Sequence, residues 1–100
     1  MISSPKQTDV AITNVHVSDD SLEAELSDGR SIRIPLSWYP RLSHARTEDL
    51  SNWTLTGNGS GIHWPEIDED ISVNNILNGE GSRESATSFE RWKAWYGSRR

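Results

Sequence analysis

Ser21-Leu22-Glu23-Ala24-Glu25-Leu26-Ser27-Asp28-Gly29-Arg30-Ser31-Ile32-Arg33-Ile34-Pro35 decides how this chain folds. Leu22, Ala24 and Leu26 alternate with Glu23, Glu25 and Ser27, the period of a half-buried strand. Ile32 and Ile34 alternate with Ser31 and Arg33 in the same way before Pro35 ends the run. Asp28-Gly29 between them signals a hairpin. A two-residue Asp28-Gly29 loop would set Ala24 opposite Arg33 and put a charge on the apolar face, which a buried face resists. A three-residue Ser27-Asp28-Gly29 loop with Gly29 left-handed instead pairs Leu22 with Ile34, Ala24 with Ile32 and Glu23 with Arg33. The odd loop is therefore the expected one.

Upstream, the β-branched run Val10 to Val17 stops at Ser18-Asp19-Asp20 and reads as a strand preceding this hairpin. Downstream, Leu36-Ser37-Trp38-Tyr39-Pro40-Arg41-Leu42 is too aromatic and too broken by Pro40 for a long helix, so a turn or short helix is expected. Thr47 is placed to cap a short helix through Glu48, Asp49 and Leu50. Residues 53–64 read as a second hairpin whose tip, Gly57-Asn58-Gly59-Ser60-Gly61, is the most flexible internal point. Pro65 opens an acidic loop through Val73, punctuated by Ile67 and Ile71. Ser72 caps a helix containing Val73, Ile76 and Leu77 and ended by Asn78-Gly79. Residues 79–85 have a linker's composition. Beyond them Phe89, Trp92 and Tyr96 fall at i, i+3 and i+7, the spacing of an amphipathic helix.

The expectation is a small α+β domain: an antiparallel sheet of three N-terminal strands plus a later hairpin, short helices and a C-terminal amphipathic helix. Residues 1–8 form a flexible N-terminus, 9–78 the domain, 79–85 a linker and 86–97 the terminal helix. A chain of 100 residues has room for one modest core and not for two. Without cysteine it has no disulfide scaffold, thiolate metal site or cysteine nucleophile. No leader or membrane span is evident, so a cytoplasmic protein is expected.

Charge is split along the chain. Residues 81–100 carry Arg83, Arg91, Lys93, Arg99 and Arg100 against Glu84 and Glu90, whereas the body is strongly acidic within a net charge of −5. The tail can fold back on an acidic face or present a basic, aromatic surface to something else. Nucleic acid is a disfavoured partner, because the body repels phosphates and only the tail offers contacts.

The densest polar constellation is His63-Trp64-Pro65-Glu66-Ile67-Asp68-Glu69-Asp70. It lacks the central glycine and distal glutamate of a twelve-position calcium loop, and no nucleophile or oxyanion donor converges on His63 by its spacing. The bland reading lets Trp64 and Ile67 anchor the loop to the core while Asp68 and Asp70 cap the next turns. Ser18, Ser37, His16 and His44 lack a G-x-S-x-G context, and the glycines at 57, 59 and 61 lack the lysine of a phosphate loop. No catalytic residue, metal ligand or cofactor is assigned. Five tryptophans are many for this length. Trp38, Trp53 and Trp64 are expected in the core, while Trp92 and Trp95 lie beyond the linker, where one can be left over for a partner. Gly29, Pro40 and Pro65 are read as structural.

Asp28-Gly29-Arg30, the Pro35-to-Leu42 string, Asn52-Trp53 and Gly61-Ile62-His63-Trp64-Pro65-Glu66-Ile67-Asp68-Glu69-Asp70-Ile71-Ser72-Val73 together resemble a bacterial domain-of-unknown-function family, number 2442. The resemblance covers about residues 9–78, and Ser85, Ser88-Phe89 and Trp92 look like the ending of one subgroup. It implies a small α+β domain without established activity. Some members look like the antitoxin half of two-gene modules, encoded beside a short protein of family 4160. Others carry a helix-turn-helix, for which nothing after residue 80 is long enough.

The expected function is a non-enzymatic protein-interaction module, antitoxin-like, in which the acidic loop (Glu66, Asp68, Glu69, Asp70) and the aromatic helix (Phe89, Trp92, Trp95, Tyr96) clasp a cognate protein. Self-association as a homodimer is the other use of the same aromatic stripe. A metal- or ligand-binding domain or enzyme built on residues 63–70, and a DNA-binding regulator acting through the basic tail, are the alternatives from other classes.

Overall fold

The computed structural model describes residues 10–99. The expected N-terminal segment 1–8 lies outside them. Two three-stranded antiparallel sheets form, each a meander: β1 (Ile12–Val17), β2 (Ser21–Leu26) and β3 (Ser31–Pro35), then β4 (Thr54–Thr56), β5 (Gly61–Trp64) and β6 (Glu69–Ser72). Between the sheets lie a single helical turn at Leu36–Trp38, α1 (Pro40–His44) and α2 (Thr47–Leu50). After them come α3 (Val73–Asn78) and α4 (Ala86–Ser98).

The register of the first hairpin is the one its side chains demand. Leu22 faces Ile34, Ala24 faces Ile32 and Glu23 faces Arg33. The loop closes with Leu26 N donating to Arg30 O at 2.8 Å, and Gly29 sits at φ +95°, a conformation only glycine adopts without strain. Leu22, Ala24 and Leu26 are buried, as are Ile12 and Val15 of β1. A register shift between Ile12 and Asn14 keeps both β1 residues on the core face.

The later hairpin does not join this sheet. It acquires its own third strand from the acidic segment, where Ile71 pairs with Ile62 and Asp70 with His63. That strand is hard to see in the sequence because four acids surround Ile67 and mask the alternation that buries Ile71. The glycine tip is also not a loose end. Ile12 N donates to Gly59 O at 2.8 Å, which ties the tip to the first sheet, and Val73 N donates to Ser60 O at 2.8 Å, which ties it to the start of α3. Gly59 has φ +92°, and a Cβ there would meet Ile12 O at 2.5 Å. Gly59→Ala is expected to lower stability by about 2 kcal/mol, read as a shift in the urea midpoint at unchanged slope.

Two caps differ in outcome. Ser72 accepts from Asn75 N, and the Asn75 side chain reaches back to form a capping box, with left-handed Gly79 ending α3. Thr47 is instead the first residue inside α2, and Arg46 occupies the cap position without a side-chain bond.

The core runs through both sheets and ends on α4, whose Trp92 and Tyr96 are buried with Trp64, Ile67, Leu42 and Tyr39. Of the three tryptophans expected inside, Trp64 is fully buried and donates Nε1 to Leu50 O at 3.0 Å. Trp53 is half-buried. Trp38 is 39 % exposed, because Leu36 and Tyr39 take the inward positions of its helical turn. Its task is at the backbone, where Trp38 O accepts from Ser82 N at 2.9 Å.

Candidate interaction surface

The residues expected to clasp a partner meet each other inside the chain. Pro65, Glu66, Ile67 and Asp68 turn the chain from β5 to β6, with Ile67 fully buried as the anchor and Asp68 left-handed at φ +54°. Such a turn points its carbonyls outward, and each of three consecutive ones finds a side-chain donor. Glu66 O accepts from Arg99 Nη1, Ile67 O from Trp92 Nε1 at 2.7 Å and Asp68 O from Arg41 Nη1 at 2.7 Å. One donor comes from α4 and another, Arg99, from the residue that caps its C-terminus. The basic tail thus folds back on the acidic turn, through the carbonyls more than the carboxylates.

The four acids of the segment diverge. Asp70 Oδ1 lies 2.8 Å from His63 Nδ1 across β5 and β6. Glu66 pairs with Arg99 Nη2 at 3.2 Å. Asp68 is exposed and lies 3.8 Å from Arg41. Glu69 accepts from Asp70 N at 3.1 Å, and burial pushes its carboxyl above the usual carboxylate range. Among the described residues no three His, Asp or Glu side chains converge in a way that could hold a metal ion.

Arg41, placed by Pro40 at the start of α1, ties the linker to both elements. Its Nε lies 2.9 Å from Glu84 Oε1 and its Nη2 2.5 Å from Oε2, a two-pronged pair. The guanidinium also sits 5.6 Å from the Trp92 ring. Hydrogen bonds from Arg41, with a further one from Ser88, hold the Glu84 carboxyl below its ordinary range. Tyr39 donates its hydroxyl to Glu80 O, and burial followed by the charges of Glu69 and Glu80 pushes that phenol up to about 12. Residues 79–85 carry no helix or strand, yet they run as a strap bonded along their length.

Ser85 caps α4 by accepting from Ser88 N at 3.1 Å. On the inner face Phe89, Trp92 and Tyr96 stack in series, with centroids 5.7 and 4.8 Å apart, and His44 of α1 meets all three edge-on. The Tyr96 hydroxyl donates to buried Asp49 at 2.5 Å and accepts from Arg46 N at 2.9 Å. Trp92 and Tyr96 are therefore withdrawn from the expected partner surface: each spends its polar atom and its rings on this chain. Phe89 is half-buried.

Trp95 is different, at 41 % exposed. Arg91, Trp95 and Arg99 follow at intervals of four, so they form one stripe along the outer side of α4. Arg99 lies 4.8 Å from the Trp95 ring, while Arg91 makes no ion pair among the described residues. Beside the stripe is a hollow of about 330 Å³ lined by Arg41, Asp68, Ser88, Arg91, Trp92 and Trp95. A second cleft, of about 370 Å³, opens between β1 and the helices, lined by Val15, Val17, Leu42, Ala45, Leu50 and Trp53 among others. Nothing in the residue pattern announces it, since its walls come from segments distant in sequence. No described helix is long and apolar enough to cross a membrane.

Two solved structures share the fold. One is a crystal structure of a protein of unknown function from Rhodospirillum rubrum, with a TM-score of 0.65 at 21 % identity over 75 % of this chain and 93 % of that one. The other is a solution structure of an uncharacterized protein from Chromobacterium violaceum, with a TM-score of 0.62 at 19 % identity over 81 % and 74 %. No curated protein matches the chain. The family model described as "Protein of unknown function (DUF2442)" matches residues 12–82, which takes in both sheets, α3 and the start of the strap but stops short of α4; the chain belongs to that family.

Proposed function

We propose that this chain is a non-enzymatic protein-interaction module that docks its partner on the outer stripe of α4, centred on Trp95. The observation that carries the reading is the division of labour within α4. Trp92 and Tyr96 are buried and Phe89 is half-buried against them, whereas Trp95, at 41 %, is the most exposed of the helix's aromatic side chains. Tryptophan and arginine are the side chains that most often carry binding energy at interfaces. Two carbonyls of the acidic turn, by contrast, are taken up by Trp92 and Arg99 of the C-terminal segment, and Asp70 by His63. The family resemblance adds the finer reading, an antitoxin-like role toward a small toxin-like protein in the cytoplasm.

The test is affinity purification of the tagged full chain from its native host, comparing the wild type with Trp95→Ala and Trp38→Ala. Both tryptophans are exposed, so both variants should keep the wild-type Tm. One protein in near-stoichiometric amount is expected with the wild type and Trp38→Ala, and its loss with Trp95→Ala. A stoichiometric partner that ignores Trp95→Ala, or none at all, refutes the reading.

A further inference from the structure

We infer that the segment docked on α4 is acidic and apolar, supplying a hydrophobic side chain to Trp95 and a carboxylate to Arg91. This rests on the interaction reading above and specifies the partner's chemistry. Along the stripe Arg99 is already committed to Glu66 by its side chain and backbone carbonyl. Arg41 is likewise committed to Glu84 and Asp68. Arg91 is exposed and makes no ion pair among the described residues, one turn from the exposed Trp95 ring. The uncompensated charge beside the aromatic anchor is therefore a cation, and the complementary group is an anion.

A second copy of this chain docked helix to helix is disfavoured by the same stripe. Antiparallel pairing about Trp95 would set Arg91, one turn before it, opposite Arg99, one turn after it, in the other copy. Nucleic acid is disfavoured too, because the stripe offers a single unpaired arginine, whereas a phosphate backbone needs several cationic contacts for useful affinity.

The experiment is a nuclear magnetic resonance titration of the full chain, following the Trp95 indole N–H. The probes are a synthetic helical peptide bearing Glu-Leu-Glu at four-residue spacing, its Lys-Leu-Lys counterpart and a single-stranded oligonucleotide. The Glu peptide should move the Trp95 resonance, with binding weakened by salt. Arg91→Glu should weaken it by at least about five-fold and reverse the preference between the two peptides. Equal response to both peptides, a stronger response to the oligonucleotide, or no movement of Trp95 with any probe overturns the inference. If affinity purification still yields a partner lost with Trp95→Ala, the interaction reading stands and only the assigned partner chemistry fails.

Discussion

Trp92→Ala should remove about 3–5 kcal/mol of stability, the largest effect expected of any substitution in α4. Trp92 is 4 % exposed and stacked between Phe89 and Tyr96, and its indole N–H caps the Ile67 carbonyl at 2.7 Å. Alanine would leave a cavity where an aromatic stood and an unpaired carbonyl in a buried turn, so transfer, cavity and hydrogen-bond losses act together. A domain of this size shifts by roughly 4–8 °C per kcal/mol, which makes a drop in Tm of at least roughly 12 °C the expected calorimetric result. Amide exchange should accelerate through α4 and the 65–68 turn together, because each holds the other. A variant that loses protection in α4 but not in the turn would show that the turn is rigid without its cap.

The second large effect concerns Arg41. Its guanidinium and the Glu84 carboxylate are 18 % and 9 % exposed as side chains, so removing one partner strands the other where water reaches it poorly. Arg41→Met is expected to cost about 3 kcal/mol. Glu84→Gln should be less severe, since an amide can still accept from arginine. The double variant Arg41→Met/Glu84→Gln should be more stable than Arg41→Met alone, falling short of the wild type because Asp68 O still loses its donor. The pair also sets a pH dependence. The Glu84 carboxyl is depressed in the folded chain, so its contribution is complete above the ordinary glutamate value of 4.5 and is lost as pH falls through and below that range. Thermal unfolding followed from pH 7 to pH 3 should show a steeper acid-side loss in the wild type than in Arg41→Met. Parallel curves would place the acid sensitivity elsewhere.

These two predictions depend on contacts of different legibility. The first hairpin is readable because its information is local: alternation, one glycine and a requirement that no charge enter the apolar face leave a single register. Ser72 as the cap of α3, and Gly79 at its end, are local in the same sense, while the return bond of Asn75 came from the structure. Trp92 and Tyr96 are readable as members of an apolar stripe, but a stripe states only that something must cover it. The acidic segment is half readable, since Ile67 as an anchor follows from its being an apolar side chain among acids, while the segment's conversion into strand β6 does not follow.

By itself the sequence determined the register of β2 against β3, the α+β class, the cap of α3 and the existence of an amphipathic terminal helix, because each rests on the period of a strand or helix or on one residue's allowed dihedrals. Only the tertiary structure decided which aromatic residues that helix keeps for itself. Arg41, Asp49, Ile67 and Trp92 lie far apart along the chain, and which polar groups find one another depends on loop paths that no local pattern encodes. Covering a turn's three outward carbonyls took donors from α1, from α4 and from Arg99 just beyond it, and Trp95 faces outward because Trp92 is held on Ile67 O and Tyr96 on Asp49 and Arg46.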